Sequence, residues 1–279
     1  MKTWPNDRRI SAIEELHALN TRESLEANTN KLSILANLPT NPTIVDLGMG
    51  QGNFLIDLAC HLKKRAKLIG VSASPAEINW EQCRYAGVEI VKGKLPHEPN
   101  VREFLKTYAG KVDRVFDTYG PATYAQNPLH SLIFAAFLLK PQGEFSAISS
   151  TDNQGHTVFG DKETQQKLVE FFQKELGITI HFQFTAIKSR VTPGAINEDL
   201  LIHFTRDSRD LSVSDYLKLC RKADKVIGIP VLSNPSWYQY GEFSIAPRQY
   251  RIFTSLPEKK VKLLPQEEER HSSFSHNFI

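Results

Sequence analysis

The sequence predicts an α/β chain: a doubly wound, mostly parallel sheet of seven strands with an antiparallel edge strand, N-terminal helices and a C-terminal appendage. Three observations carry this. Short β-rich runs alternate with helical ones from residue 43 to residue 206, the pattern of a sheet wrapped on both faces. The first apolar run, Thr43-Ile44-Val45-Asp46-Leu47, feeds straight into a glycine-rich turn. The last two runs, Ile178–Phe184 and Asp199–Phe204, leave no room for a full helix between them, so they pair antiparallel.

Ahead of the first strand, residues 1–42 read as a helical segment. Ser11 and Glu14 have capping-box spacing, Ile13, Leu16 and Leu19 follow at helical intervals, and Leu32, Leu35 and Leu38 mark a second run that stops at Pro39. In the 43–206 domain, Phe54, Leu55, Leu58 and Leu62 share one helical face after the glycine turn. Leu68–Val71 is the second strand, and a helix follows around Pro75–Tyr85, where proline suits a first turn. Val88–Val91 is a strand, Val101–Tyr108 a helix, Arg114–Phe116 a strand, Leu129–Leu139 a helix and Glu144–Ser149 a strand. Leu168, Val169, Phe172 and Leu176 then form an amphipathic helix ending at Gly177. Alternation at Ile178, Ile180, Phe182 and Phe184 gives the next strand one polar face. Residues 207–256 read as an appendage, a helix from Ser212 to Ile227 and then an aromatic stretch from Trp237 to Phe253. Residues 257–279 read as a mobile tail.

Composition narrows the function classes. With 41% hydrophobic residues among 279, there is enough apolar surface to offset chain entropy, so general disorder is excluded. The longest apolar run, Leu132–Leu139, is far short of the ~20 residues that span a bilayer, and the amino terminus has no apolar signal core. Three scattered cysteines, Cys60, Cys83 and Cys220, form neither a disulfide framework nor a zinc motif and fit a reducing, cytoplasmic compartment. A net charge of +3 gives no strong nucleic-acid signal. His61, His97, His130 and His156 are spaced as no ligand pair and read as surface histidines, so no metal is expected. No nucleophile elbow is present, because Gly70-Val71-Ser72-Ala73-Ser74 is not G-x-S-x-G.

The segment Asp46-Leu47-Gly48-Met49-Gly50-Gln51-Gly52-Asn53 is the most informative. Glycines at a strand-to-helix turn allow positive φ and let a ligand approach without a Cβ in the way, and the following helix offers free N–H groups. The spacing is G-x-G-x-G, not the G-x-G-x-x-G of dinucleotide binders. With Asp46 it resembles the first motif of class I S-adenosylmethionine-dependent methyltransferases, which have a Rossmann-like fold. The resemblance runs from about residue 43 to 206 and includes Leu139-Lys140-Pro141-Gln142-Gly143, similar to that family's turn before its fifth strand.

What the resemblance implies is specific. S-adenosyl-L-methionine is the expected cofactor. Asp46 would orient its amino-acid end, and Gly48, Gly50 and Gly52 would let that end lie along the backbone. Ser72 takes the place of the family's ribose-binding acid, and Lys94, beside Leu95, that of the acid that accepts from the adenine amino group. Asp117 and Tyr119, after the fourth strand, are the candidates for shaping the methyl-transfer end. For both, the alternative role is structural: an acid capping a turn and a ring packing on the sheet. A serine bonds one ribose hydroxyl where an acid grips two, and a lysine cannot accept a hydrogen bond.

Those two exchanges also suit two other readings: a methyltransferase-like binding or scaffold protein without catalysis, and an NADP-binding protein whose cation meets a 2′-phosphate. For an active enzyme the long amino-terminal helices and the aromatic carboxyl segment predict a partly enclosed acceptor site, which slightly favours a small molecule over a protein side chain, and no N-P-P-Y-type motif points to an amino group on a base. The 207–256 appendage is then a candidate lid over the substrate. Oligomeric state is not encoded in any pattern found.

Overall fold

The computed structural model describes residues 38–73, 78–118, 120–125, 127–149, 159–188 and 196–228. Seven strands form one sheet: β1 (Thr43–Leu47), β2 (Lys67–Ser72), β3 (Val88–Lys92), β4 (Val112–Thr118), β5 (Leu139–Ser149), β6 (Ile178–Lys188) and β7 (Ile196–Arg206), in the order β3-β2-β1-β4-β5-β7-β6. The first five pair in parallel, and β7 runs antiparallel between β5 and β6. The order reverses between β1 and β4, where Asp46 lies opposite Phe116. In open α/β sheets, a crevice for ligands forms outside the carboxyl ends of the strands at such a switch point.

Strand parity builds a core on each face. Val45, Leu47, Val115, Phe145 and Ile202 point into the larger one. Ile44, Phe116, Ile148 and Leu201 point into the other, against α1 (Asn53–His61) and α2 (Trp80–Ala86). The larger core also takes side chains from α3 (Pro99–Tyr108), α5 (Pro128–Leu138) and α6 (Lys162–Phe171), while the short α4 (Pro121–Tyr124) sits at the carboxyl edge. A π-turn, Phe172–Leu176, extends α6 to Gly177 at φ 66°.

Three expectations need correction. The Leu139–Gly143 segment is not a turn before β5 but its beginning. Leu139 pairs with Val112 and the next pair is Glu144 with Arg114, so Lys140–Gly143 is looped out as a bulge. The helix expected from Pro75 begins at Trp80 in the described residues. The boundary at 206/207 cuts through the core. Every residue of α5 is buried, so this helix has no polar face to turn to solvent and needs cover opposite the sheet. Helix α7 (Tyr216–Ile227) provides that cover, packing on α5 with Tyr216, Cys220, Ala223 and Ile227 buried in the larger core. It belongs to the domain. The rest of the expected appendage and tail, with the helices before residue 38, lies outside the described residues.

Candidate functional site

The glycine turn is tied to the sheet: Gly48 N and Met49 N each donate to Val71 O at 3.0 Å, and Gly52 N donates to Met49 O at 2.8 Å. All three glycines have positive φ, at 80°, 52° and 88° for Gly48, Gly50 and Gly52. Space adds a second constraint at two of them. A Cβ on Gly48 would lie 2.8 Å from Gly120 Cα, so the loops after β1 and β4 touch backbone to backbone. A Cβ on Gly52 would lie 2.6 Å from both Cys83 Sγ and Met49 Cε. Around Gly50 no described residue comes within 4 Å of that position, so among the described residues it is the open side of the cradle.

Two buried carboxyls flank the switch point. Asp46 is 2% exposed, and burial pushes its carboxyl up to about 7. No described residue donates a hydrogen bond to it. Asp117 is as deeply buried and also raised, by burial and by the charge of Asp46, but it is engaged. Its Oδ1 accepts from Gly120 N at 2.9 Å and its Oδ2 from Ala122 N at 2.7 Å, bonds that oppose the rise. Both oxygens are therefore committed to the turn that brings Gly120 against Gly48, the capping role weighed above. Replacing Asp117 by alanine leaves two buried N–H groups unpaired, a loss of roughly 3 kcal/mol and about 5–10 °C in melting temperature. Asparagine keeps one acceptor, so a thermal melt should place it between the two. Tyr119 lies outside the described residues.

Thr118 was not anticipated. It is the last residue of β4 and shares parity with Phe116, which pairs with Asp46, so it faces the same side of the sheet. Its hydroxyl is buried and has no partner among the described residues. Strand parity alone could have found it.

Ser72 ends β2, 3% exposed, and its carbonyl accepts from Gly93 N at 2.9 Å. That bond ties the loop after β3 to the same edge. In this loop Lys94 is exposed, its backbone N–H donates to Glu98 Oε2 at 2.9 Å, and Leu95 is partly buried against the larger core. The carboxyl ends of β1, β2, β3 and β4 thus hold Asp46, the glycine turn, Ser72, the Lys94–Leu95 loop and Asp117 along one edge.

The surface expectation holds for His97, which is exposed, and fails for His130, while the side chains of His61 and His156 lie outside the described residues. His130 is only 7% exposed, and His97 Nε2 lies 2.7 Å from its Nδ1. His130 Nε2 in turn lies 2.8 Å from Asp224 Oδ1 on α7. Residues 33 and 94 positions apart meet only because α7 packs on α5 beside the β3 loop. Among the described residues no group of three His, Cys, Asp or Glu side chains could hold a metal ion, and no helix is long and apolar enough to cross a membrane.

No protein-family model matches the chain. Over 71 residues it is 45% identical to the carboxy-S-adenosyl-L-methionine synthase of Campylobacter jejuni subsp. doylei, and 44% identical to that of Campylobacter jejuni subsp. jejuni. Each match covers 25% of this chain and 29% of the relative, so the chain spans under a third of the length of these curated relatives. Among solved structures it is similar to a SAM dependent methyltransferase from Aquifex aeolicus, with 16% identity, 71% of this chain and 100% of the other, and a TM-score of 0.40. It is also similar to the CurJ carbon methyltransferase, with 14% identity, 70% of this chain and 58% of the other, and a TM-score of 0.48. At such identities and scores neither likeness bears on chemistry.

Proposed function

We propose that the chain binds S-adenosyl-L-methionine along the carboxyl edge of β1–β4 and transfers its methyl group, with small molecules as the first class of acceptor to screen. One observation carries the reading: a buried Asp46 carboxyl, given no hydrogen bond by the described residues, stands beside a glycine turn whose Gly50 is crowded by no described residue. The chemistry of these residues fits the cofactor. Its amino-acid end carries an ammonium, and an anion held at low dielectric is a strong partner for one. The partial match to synthases of a carboxylated form of the same compound points the same way.

In this reading Asp46 holds the ammonium, and Gly48, Gly50 and Gly52 admit the amino-acid chain. Ser72 bonds one ribose hydroxyl, and Leu95 packs beside the base with Lys94 at its rim. Asp117 holds the β4 turn in place, and the Thr118 hydroxyl lines the face it shares with Asp46. Bound S-adenosyl-L-methionine supplies an electrophilic methyl on its sulfonium. What the chain adds is orientation, which is the larger part of catalysis for such a transfer.

Ser72 and Lys94, standing where two acids are expected, favour one second reading: a methyltransferase-like binding or scaffold protein that neither takes the cofactor nor catalyses. Calorimetric titration with S-adenosylhomocysteine, S-adenosylmethionine and NADPH separates these. Micromolar binding of the first two without the third is the expected result. Silence up to millimolar concentrations overturns cofactor binding and turns the search towards a protein partner, and binding of NADPH alone assigns the cradle to a phosphate-bearing nucleotide.

A further inference from the structure

The two edges of the sheet are built differently. β3, at one edge, is five residues long and carries Glu89 and Lys92. Glu89 accepts from the Tyr108 hydroxyl at 2.9 Å and pairs with Lys67 at 3.3 Å, and Lys92 Nζ lies 4.5 Å from the centre of the Trp80 ring. Shortness and charge protect an edge whose backbone N–H and C=O groups have no neighbouring strand. β6, at the other edge, has neither. It runs eleven residues, Ile178–Lys188, and Lys188 is its only Lys, Arg, Asp or Glu. It contains no proline, and its pairing with β7 passes through eleven consecutive residues without a bulge. Phe184 on this strand is 45% exposed, and no described strand pairs with the outer side of β6.

The far half of β6 is also short of neighbours on its inner side. β5 ends at Ser149, opposite Leu200, whereas β6 and β7 continue together to Lys188 and Ile196 as a two-stranded ribbon. Such a ribbon is marginal in water, and a third strand is what steadies it. We propose that β6 is the seam of a two-fold homodimer, in which the β6 strands of two copies pair antiparallel and join their sheets into one. A second copy fits this edge because the strand is complementary to itself. The one antiparallel register that uses all eleven residues places Gln183 on the two-fold axis. Phe182 of each copy then faces Phe184 of the other, giving two equivalent aromatic pairs on one face of the sheet. Lys188 falls opposite Ile178, so the register sets no like charges face to face. The overhanging ribbon gains strands from the second copy, and the charged β3 edge stays unpaired, so the assembly closes at two. β5 and β7 separate this seam from the β1–β4 site, and the pairing does not rest on the cofactor reading.

Sedimentation equilibrium of the 279-residue chain should show a reversible monomer–dimer equilibrium in the micromolar range, since a strand-sized interface is a small one. Phe184→Lys removes both aromatic pairs and charges the edge, so it should raise the dissociation constant about tenfold or more. Thermal melts matching wild type show that a change at this exposed position leaves the fold intact. Disulfide trapping reads the register separately. In a Cys60→Ser background, which removes the one exposed cysteine among the described residues, Gln183→Cys should give a linked dimer under mild oxidation. Thr179→Cys should not, because its two copies would lie about 27 Å apart along the seam. A chain that stays monomeric at high micromolar concentration overturns the proposal and leaves the edge to another segment or partner. A dimer that Phe184→Lys leaves unchanged, or that links no better at position 183 than at 179, overturns the seam on β6, as does growth into polymers.

Discussion

Asp46→Asn should weaken binding of S-adenosylhomocysteine while making the ligand-free chain more stable at alkaline pH. The first effect follows from replacing a charged acceptor by a neutral one beneath a ligand ammonium, a loss of about 1.5–3 kcal/mol or ~10–150-fold in affinity. The second follows from burial. In the folded chain the Asp46 carboxyl titrates near 7, against an ordinary value of 3.8. Between those two pH values the unfolded chain has released this proton and the folded chain still holds it, so folded stability falls as pH rises from about 4 to about 7 and is level above. At 1.36 kcal/mol per pH unit the full loss is on the order of 4 kcal/mol. Asp117, raised in the same direction, adds to it.

Denaturant midpoints at pH 5 and pH 8 measure this directly. Wild type should be more stable at pH 5, and Asp46→Asn should remove much of the difference. Equal pH dependence in both would mean that Asp46 is not the buried proton acceptor. The ligand side has the same logic: if the ammonium pairs with the ionised carboxyl, affinity drops as pH falls below about 7. A site that costs stability when empty and ionised, and recovers it on binding, is a common signature of function.

The second large effect concerns where the domain ends. A chain stopped at Arg206 loses Tyr216, Cys220, Ala223 and Ile227, and with them the cover over α5. Each large buried side chain contributes about 1.5–3 kcal/mol, and the newly exposed face of α5, including Phe134 and Phe137, adds its own share. Against a net stability of about 5–15 kcal/mol, that removal should abolish the cooperative melt. A chain stopped at Gly228 keeps α7 and should melt cooperatively and still bind S-adenosylhomocysteine. Only the second truncation tests a lid: turnover lost with binding kept supports one beyond residue 228, and unchanged turnover excludes it. If the chain ending at Arg206 folds normally, α7 is dispensable and the packing of α5 has been misread.

The strands and the glycine turn are legible in the order of residues alone. Thr43–Leu47, Val88–Val91 and Ile178–Phe184 carry their own evidence, because strand conformation and the face a side chain takes depend on neighbours one and two positions away. The positive φ values at Gly48, Gly50 and Gly52 were legible for the same reason, since glycine is the residue that adopts them without strain. Which surfaces meet is settled by packing between distant segments. The apolar run Leu132–Leu139 announces burial without saying that α7 completes it. Asp117 reads as a possible reacting group until its two oxygens are found on Gly120 N and Ala122 N. His97, His130 and Asp224 show no spacing pattern, because three packed elements bring them together and local periodicity carries no record of such contacts. Backbone preference is written within a few residues, whereas hydrogen-bond partners and burial are settled by the packing of segments distant in the chain.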